Sequence, residues 1–298
     1  MCVIWGIPYL LIRVAVLEIS PAMLVFVRTG VATIILAPLV FARGGPRAIG
    51  SRWRWLLVFA AVEVGAPWFL LSSAEQHLTS AFTALLVAAV PLVGAVIAAA
   101  FGNREHFGLV SLSGLLLGLA GVALIVGFDL RASDVTAVLE MGAVVVGYAL
   151  GPAILARYLT GVPSVTVIGT ALALCCVVYA PFAVATWPAH VPSLAALAAI
   201  GVLAVLCTAV AFLLFFALIA EVGPVRSTVI TYVNPAVAAV AGVAVLHESL
   251  TLPMIAGFAL VIAGSVLSTR RQAVPEAVPE AVAASPAPAR EEAGVQVR

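Results

Sequence analysis

Lysine is absent, and charge of either sign is scarce: charged residues make up 9% of the 298, against 64% hydrophobic, and all 14 basic residues are Arg. A water-soluble domain could not cover its surface with so few charges. The all-Arg cation set is a compositional bias of the source genome rather than a site. Apart from four Arg between positions 43 and 54 the cations are scattered, so no nucleic-acid patch is present. There is no GxxxxGK[ST] loop and no polar segment large enough to hold a nucleotide domain. The four cysteines, Cys2, Cys175, Cys176 and Cys207, lie in apolar runs without metal-ligand spacing, and read as small buried hydrophobes. The four His are dispersed, and no cofactor or metal is expected.

What the chain does have is long apolar runs. They extend for roughly 17 to 25 residues between short polar breaks, the length of a bilayer-crossing helix. The runs are continuous rather than alternating and rich in Ala, Leu and Gly, which argues against a barrel of strands. Ten spans are expected, over 1–17, 21–41, 54–73, 79–101, 107–127, 135–156, 164–186, 194–220, 224–246 and 252–268. The first is short and has no polar flank before it, so either neighbours compensate or residues precede Met1; a signal peptide fits poorly without a basic n-region. Residues 272–298 are rich in Pro, Ala and Glu without aromatics and read as a disordered tail.

The chain says one thing twice. From Ser80 to Val126, and again from Ser227 to Leu267, an apolar segment carries a mid-span proline (Pro91, Pro235). A polar break with a glutamate follows (Glu105, Glu248), then a helix with spaced glycines (Gly114 and Gly121, Gly257 and Gly264). Five spans per half is an odd number, so the second half starts from the opposite face. The fold expected is an all-α polytopic membrane protein of ten transmembrane helices in two inverted five-helix repeats, 1–127 and 135–268. Inverted repeats with interrupted mid-membrane helices are a transporter architecture. Arg43, Arg47, Arg52, Arg54, Arg104, Arg157, Arg270 and Arg271 fall on one side. The opposite side holds Arg131 with Glu18, Glu75, Asp129 and Asp134, so both termini are expected in the cytoplasm, across the cytoplasmic membrane.

These residues resemble the EamA family of the drug/metabolite transporter superfamily, over roughly Ile4 to Thr269. The resemblance is carried by Trp5-Gly6 followed by Arg13, by Ser20-Pro21 with Arg28, by the run from Gly201 to Pro224, and by the proline–glutamate–glycine order in both halves. It implies a ten-helix transporter of small organic metabolites with a central cavity, efflux being favoured, with amino acids or related amphiphilic compounds as candidate substrates. A membrane-embedded enzyme and a non-transporting receptor or scaffold are the rival classes. The first would need clustered nucleophiles, carboxylates or metal ligands, and no such cluster recurs in the loops.

Charges inside a span are costly and usually face the protein interior, and Arg13, Arg28, Glu63 and Glu140 qualify. Glu63, one turn before Pro67 and Trp68, could bind a cationic group, carry a coupling proton, or pair with Arg28. By helix rise Arg28 lies about 10 Å and Glu63 about 15 Å below the outer ends of their spans, within reach of each other. Arg13 and Glu140, nearer the outer surface, suit a salt bridge between the halves or snorkelling. Tyr9, Trp68, Tyr148 and Tyr232 are candidates for lining a cavity, with Trp5 sharing the face of Tyr9 and Arg13. Asn234, beside the break at Pro235, needs a partner, which substrate, water or a carbonyl would supply. Glu105 and Glu248 read as interface caps. The glycine faces read as close helix packing, within one chain or across a homodimer.

Overall fold

Hydroxyl side chains open the helices. Ser20 accepts from Met23 N at 3.1 Å, Thr79 from Phe82 N at 3.2 Å, Ser193 from Ala196 N at 3.2 Å and Thr251 from Met254 N at 3.4 Å. Each satisfies one of the orphan N–H groups of a first turn. The computed structural model describes residues 1–100, 109–129, 135–222 and 230–269. The regular elements among these residues are helices, with no strand. In chain order the apolar helical segments are α1 (Cys2–Val16), α2 (Pro21–Ala42), α3 (Gly45–Ala74), α4 (Ser80–Ile97), α5 (Leu109–Gly127), α6 (Val135–Tyr158), α7 (Ser164–Ala185), α8 (Leu194–Glu221), α9 (Ile230–Leu246) and α10 (Leu252–Ser268). Seven are long and apolar enough to cross a membrane; α1, α9 and α10 are shorter. Large apolar side chains face outward on many of them, such as Ile34, Leu116, Val177 and Val240, the exposure a lipid-bathed surface requires. The start expected for the ninth span, Glu105 with His106, Arg131 and the tail lie outside the described residues.

Four segments are irregular, and proline or an added residue explains each. α1 breaks at Ile7, before Pro8. α4 breaks at Ala88 and Ala89, because Pro91 offers no N–H to the Val87 carbonyl. α9 passes Pro235 without a break. The α-helical part of α3 begins at Trp53, beside the start expected from the sequence; ahead of it the left-handed Gly44 (φ 94°) leads into 3-10 turns over Gly45–Arg52 that kink at Gly50 (φ 55°). Farther along, α3 contains one π-helical turn, Ala60–Gly65, and α8 contains another, Val205–Val210. In each the amide after the turn reaches back five residues, Ala66 to Ala61 and Ala211 to Leu206. Glu63 and Thr208 are each the fourth residue of their turn.

Carbonyls loosened by such turns must find donors inside the protein, since lipid has none. Cys175 and Tyr179, one turn apart on α7, reach the Ala60 and Gly65 carbonyls at 3.5 and 3.0 Å. In α8 the Thr208 hydroxyl itself donates to Leu203 O at 2.7 Å.

Glycine sets the closest helix pair. A Cβ on Gly114 would stand 2.8 Å from Gly264 O, and one on Gly121 would stand 2.6 Å from Gly257 O. α5 and α10 therefore run antiparallel with their backbones in contact, so this glycine face is used within the chain. α2 crosses α7 in the same sense, with Gly30 beside Cys176 and Gly169 beside Val40.

Candidate functional site

Arg28 is the centre of the polar interior. It comes from the second turn of α2 and is only 7% exposed. Its Nε donates to Thr208 Oγ1 at 2.8 Å, joining α2 of the first half to the π-turn of α8 in the second. Its guanidinium lies 3.7 Å from the centroid of the Trp68 ring, a cation–π stack. The Trp68 indole is within hydrogen-bonding reach of Tyr148 on α6, and Tyr9 on α1 and Tyr148 both interact electrostatically with Arg28. Four of the residues singled out in the sequence thus converge from α1, α2, α3 and α6: Arg28, Trp68, Tyr148 and Tyr9.

Glu63 adjoins this cluster through Tyr148 but does not pair with Arg28. Depth along a helix was the basis for expecting that pair, and the π-turn changes the azimuth. The Glu63 carboxyl points at Gly151 of α6, where its Oε2 is buried without a hydrogen-bond partner. A Cβ at position 151 would overlap that oxygen and stand 2.9 Å from Glu63 Cβ. Gly151→Ala is therefore expected to push the carboxylate aside and impair whatever Glu63 does, at an overpacking cost of about 1–3 kcal/mol. The shorter Glu63→Asp in the same chain should restore it, as read by thermal stability and flux of the single and double variants.

The Arg13–Glu140 bridge is not formed either. Arg13 donates to the backbone carbonyl of Glu75, and Glu140 accepts from Ser73 Oγ at 3.0 Å. Each finds a nearer partner on the end of α3. Asn234, with its amide oriented by its surroundings, donates to Ile230 O at 2.8 Å and Cys2 O at 3.1 Å, so carbonyls take the role of partner and tie α9 to α1. Tyr232 is half-buried on α9 and engaged. Trp5 packs on Phe212 and Phe215 of α8.

Acidic side chains fasten one end of the bundle. Glu248, after α9, accepts from Ser80 N and Ala81 N at 2.9 Å each and from Ser80 Oγ at 3.1 Å, capping α4. Glu18, after α1, accepts from Ser193 N at 2.6 Å and Ser193 Oγ at 2.5 Å, beside the start of α8. These bonds hold the exposed Glu18 carboxyl below its ordinary pKa. Glu75, which the sequence offered only as a loop charge, is fully buried at this end, and neither carboxyl oxygen has a hydrogen-bond partner. Its place directly after an apolar span, with Arg13 at matching depth on the first, was the available signal.

An apolar crevice of about 340 Å³ opens between α4, α5 and α6, lined by side chains such as Leu92, Val96, Leu119, Val126, Met141 and Val145. It contains none of the polar candidates, and its aliphatic walls offer an ion or a polar metabolite nothing to bind. The polar cluster around Arg28 is the better candidate site.

The family model described as the EamA-like transporter family matches residues 1–127 and again 136–270. The fold matches that of a protein of known crystal structure at 20% identity, with a TM-score of 0.63, over 89% of this chain and 95% of that one. At that identity the likeness is one of fold. No curated protein matches.

Proposed function

Because this chain belongs to the EamA-like transporter family, we propose that it is a secondary transporter carrying small organic metabolites across the cytoplasmic membrane by alternating access, in the direction of efflux. The observation that carries the reading is the buried Arg28–Trp68–Tyr148–Tyr9 cluster, bridged by Thr208 to the other half of the chain. An arginine stacked on an indole suits an anionic group beside an apolar body. Glu63, next to Tyr148, suits a cationic group. An amphiphile bearing both charges, such as an amino acid, is the substrate class that this combination supports.

Several features support ten spans in two inverted repeats. Gly114 and Gly121 of the first half correspond to Gly257 and Gly264 of the second. They meet crosswise, 114 with 264 and 121 with 257, as a two-fold axis in the membrane plane demands. The π-turns occupy the third segment of each half and present Glu63 and Thr208 from the same position. The second segment of the opposite half binds each turn, α7 through Cys175 and Tyr179, α2 through Arg28. One difference between the halves matters for the mechanism: α4 is broken before its proline and α9 is not. Exchange of these two conformations between the repeats would move the opening from one face to the other. The Arg-rich side supports cytoplasmic termini.

The test is counterflow in proteoliposomes against a mixed pool of labelled amino acids and other small metabolites, with and without a pH gradient. Wild-type protein should exchange label, and Glu63→Gln should lose flux while eluting as folded protein. Normal uptake and normal pH dependence in Glu63→Gln would remove Glu63 from the site. Absence of exchange by folded, oriented wild-type protein across the whole pool would count against transport.

A further inference from the structure

We propose that Glu75 is a proton-binding site, protonated in the conformation seen here and ionised when Arg13 transfers from the Glu75 backbone carbonyl to its carboxylate. Glu75 is 0% exposed, and neither of its oxygens is hydrogen-bonded. An ionised carboxylate held that way costs several kcal/mol, which taking up a proton relieves. The surroundings favour the neutral form. Glu75 caps the C-terminal end of α3, where the helix dipole is negative. The nearby positive helix end, the start of α4, is already occupied by Glu248, which also repels Glu75.

Among the described residues, the groups facing Glu75 are few. Tyr9 and Arg13 come from α1, Arg28 from α2, Tyr148 from α6, and Glu248 from the α9–α10 connection. Two are cations, and both are engaged. Arg28 is bonded to Thr208 and stacked on Trp68, while Arg13 donates to the carbonyl of Glu75 itself. Arg13 is therefore the cation that a small displacement of α1 would bring to the carboxylate. In that step the carboxyl O–H bond breaks, the proton passes to water, and the guanidinium neutralises the anion left behind. The same helix carries Tyr9 into the Arg28 cluster, so proton release and substrate contact share a moving part. Opposing proton movement could then drive the substrate. The inference rests on the transporter reading for that use, though not for the protonation itself.

Infrared difference spectroscopy of the reconstituted full-length protein tests it without a substrate. The buffer is stepped between about pH 5 and about pH 9, where buried carboxyls titrate. Wild-type protein should show a protonated-carboxyl C=O band that fades as the pH rises. Glu75→Gln should remove from the band a component that Glu63→Gln retains, and Glu75→Asp should displace that component in frequency. Arg13→Gln should make the proton bind at least tenfold more tightly, moving the midpoint up by at least one pH unit. An unchanged band in folded Glu75→Gln overturns the proposal. So does an unchanged midpoint in Arg13→Gln, the deciding measurement should Glu75→Gln not fold. A wild-type carboxylate signal that ignores pH and responds to sodium also overturns it, in favour of a metal cation. Counterflow without the band would leave the transporter standing and the proton site fallen; the band without counterflow would do the reverse.

Discussion

Alanine or leucine at Gly121 is expected to prevent the two halves from assembling into a stable bundle. A Cβ there would stand 2.6 Å from Gly257 O and 2.8 Å from Val261 N, both backbone atoms of α10 that cannot swing away as a side-chain tip would. The helices would have to separate, and the loss would spread along the pair, because Gly114 and Gly264 share the same line of contact. Overpacking by a methyl or two commonly costs about 1–3 kcal/mol, and the leucine should exceed that. In lipid no hydrophobic force between helices offsets it, since the acyl chains are as apolar as the partner helix. The measurement is the yield of monodisperse protein and its thermal midpoint. Gly142 on α6 is the control, because a Cβ there meets nothing within 4 Å. Gly142→Ala should be neutral or raise stability by roughly 0.5–1 kcal/mol through helix propensity. If Gly121→Leu behaves like Gly142→Ala, the α5–α10 contact does not hold the halves together.

Those glycines were legible in the sequence because their role is one-dimensional: a small residue repeated along one face predicts a close approach whichever helix makes it. The seven long helices were legible for a similar reason, since bilayer thickness fixes their length. Partner choice was not. Arg28 and Glu63 were matched by depth, which helix rise supplies, but contact also depends on azimuth. The π-turn at Ala60–Gly65 inserts a residue, and Glu63 meets Gly151 instead. Nothing local distinguishes AAVEVG from an ordinary helical stretch; the turn is sustained by Cys175 and Tyr179, more than 100 positions away. Glu75 was passed over because a charge at a span end is normally solvated. Its burial depends on α1 and on Glu248, which takes the cap of α4 in its place. Glu248 was readable as an interface cap and Glu18 as a charge on the outer side, but the sequence did not say which helix start each would hold.

Arg28→Lys is expected to lose transport although it keeps the charge. The lysine ammonium is a compact, strongly hydrated point charge, while the guanidinium uses its plane and its edge at once. Here the plane lies on Trp68 and the edge donates from Nε to Thr208. A hydrogen bond to a charged group contributes about 1.5–3 kcal/mol and a desolvated cation–π stack up to about 2. At about 1.4 kcal/mol per factor of ten, the loss in substrate affinity or flux should reach tenfold to a hundredfold. Thr208→Val removes the acceptor and should share much of the defect, and the double variant should be less than additive, because both changes break one bond. Additive defects would mean that Arg28 and Thr208 act separately and that the link between the halves is incidental to transport. Wild-type flux in Arg28→Lys would reduce Arg28 to a source of positive potential and move the search for substrate contacts to Glu63 and Tyr148. Coupled defects would instead identify the Arg28–Thr208 bond as the point where an event in one repeat is felt by the π-turn of the other.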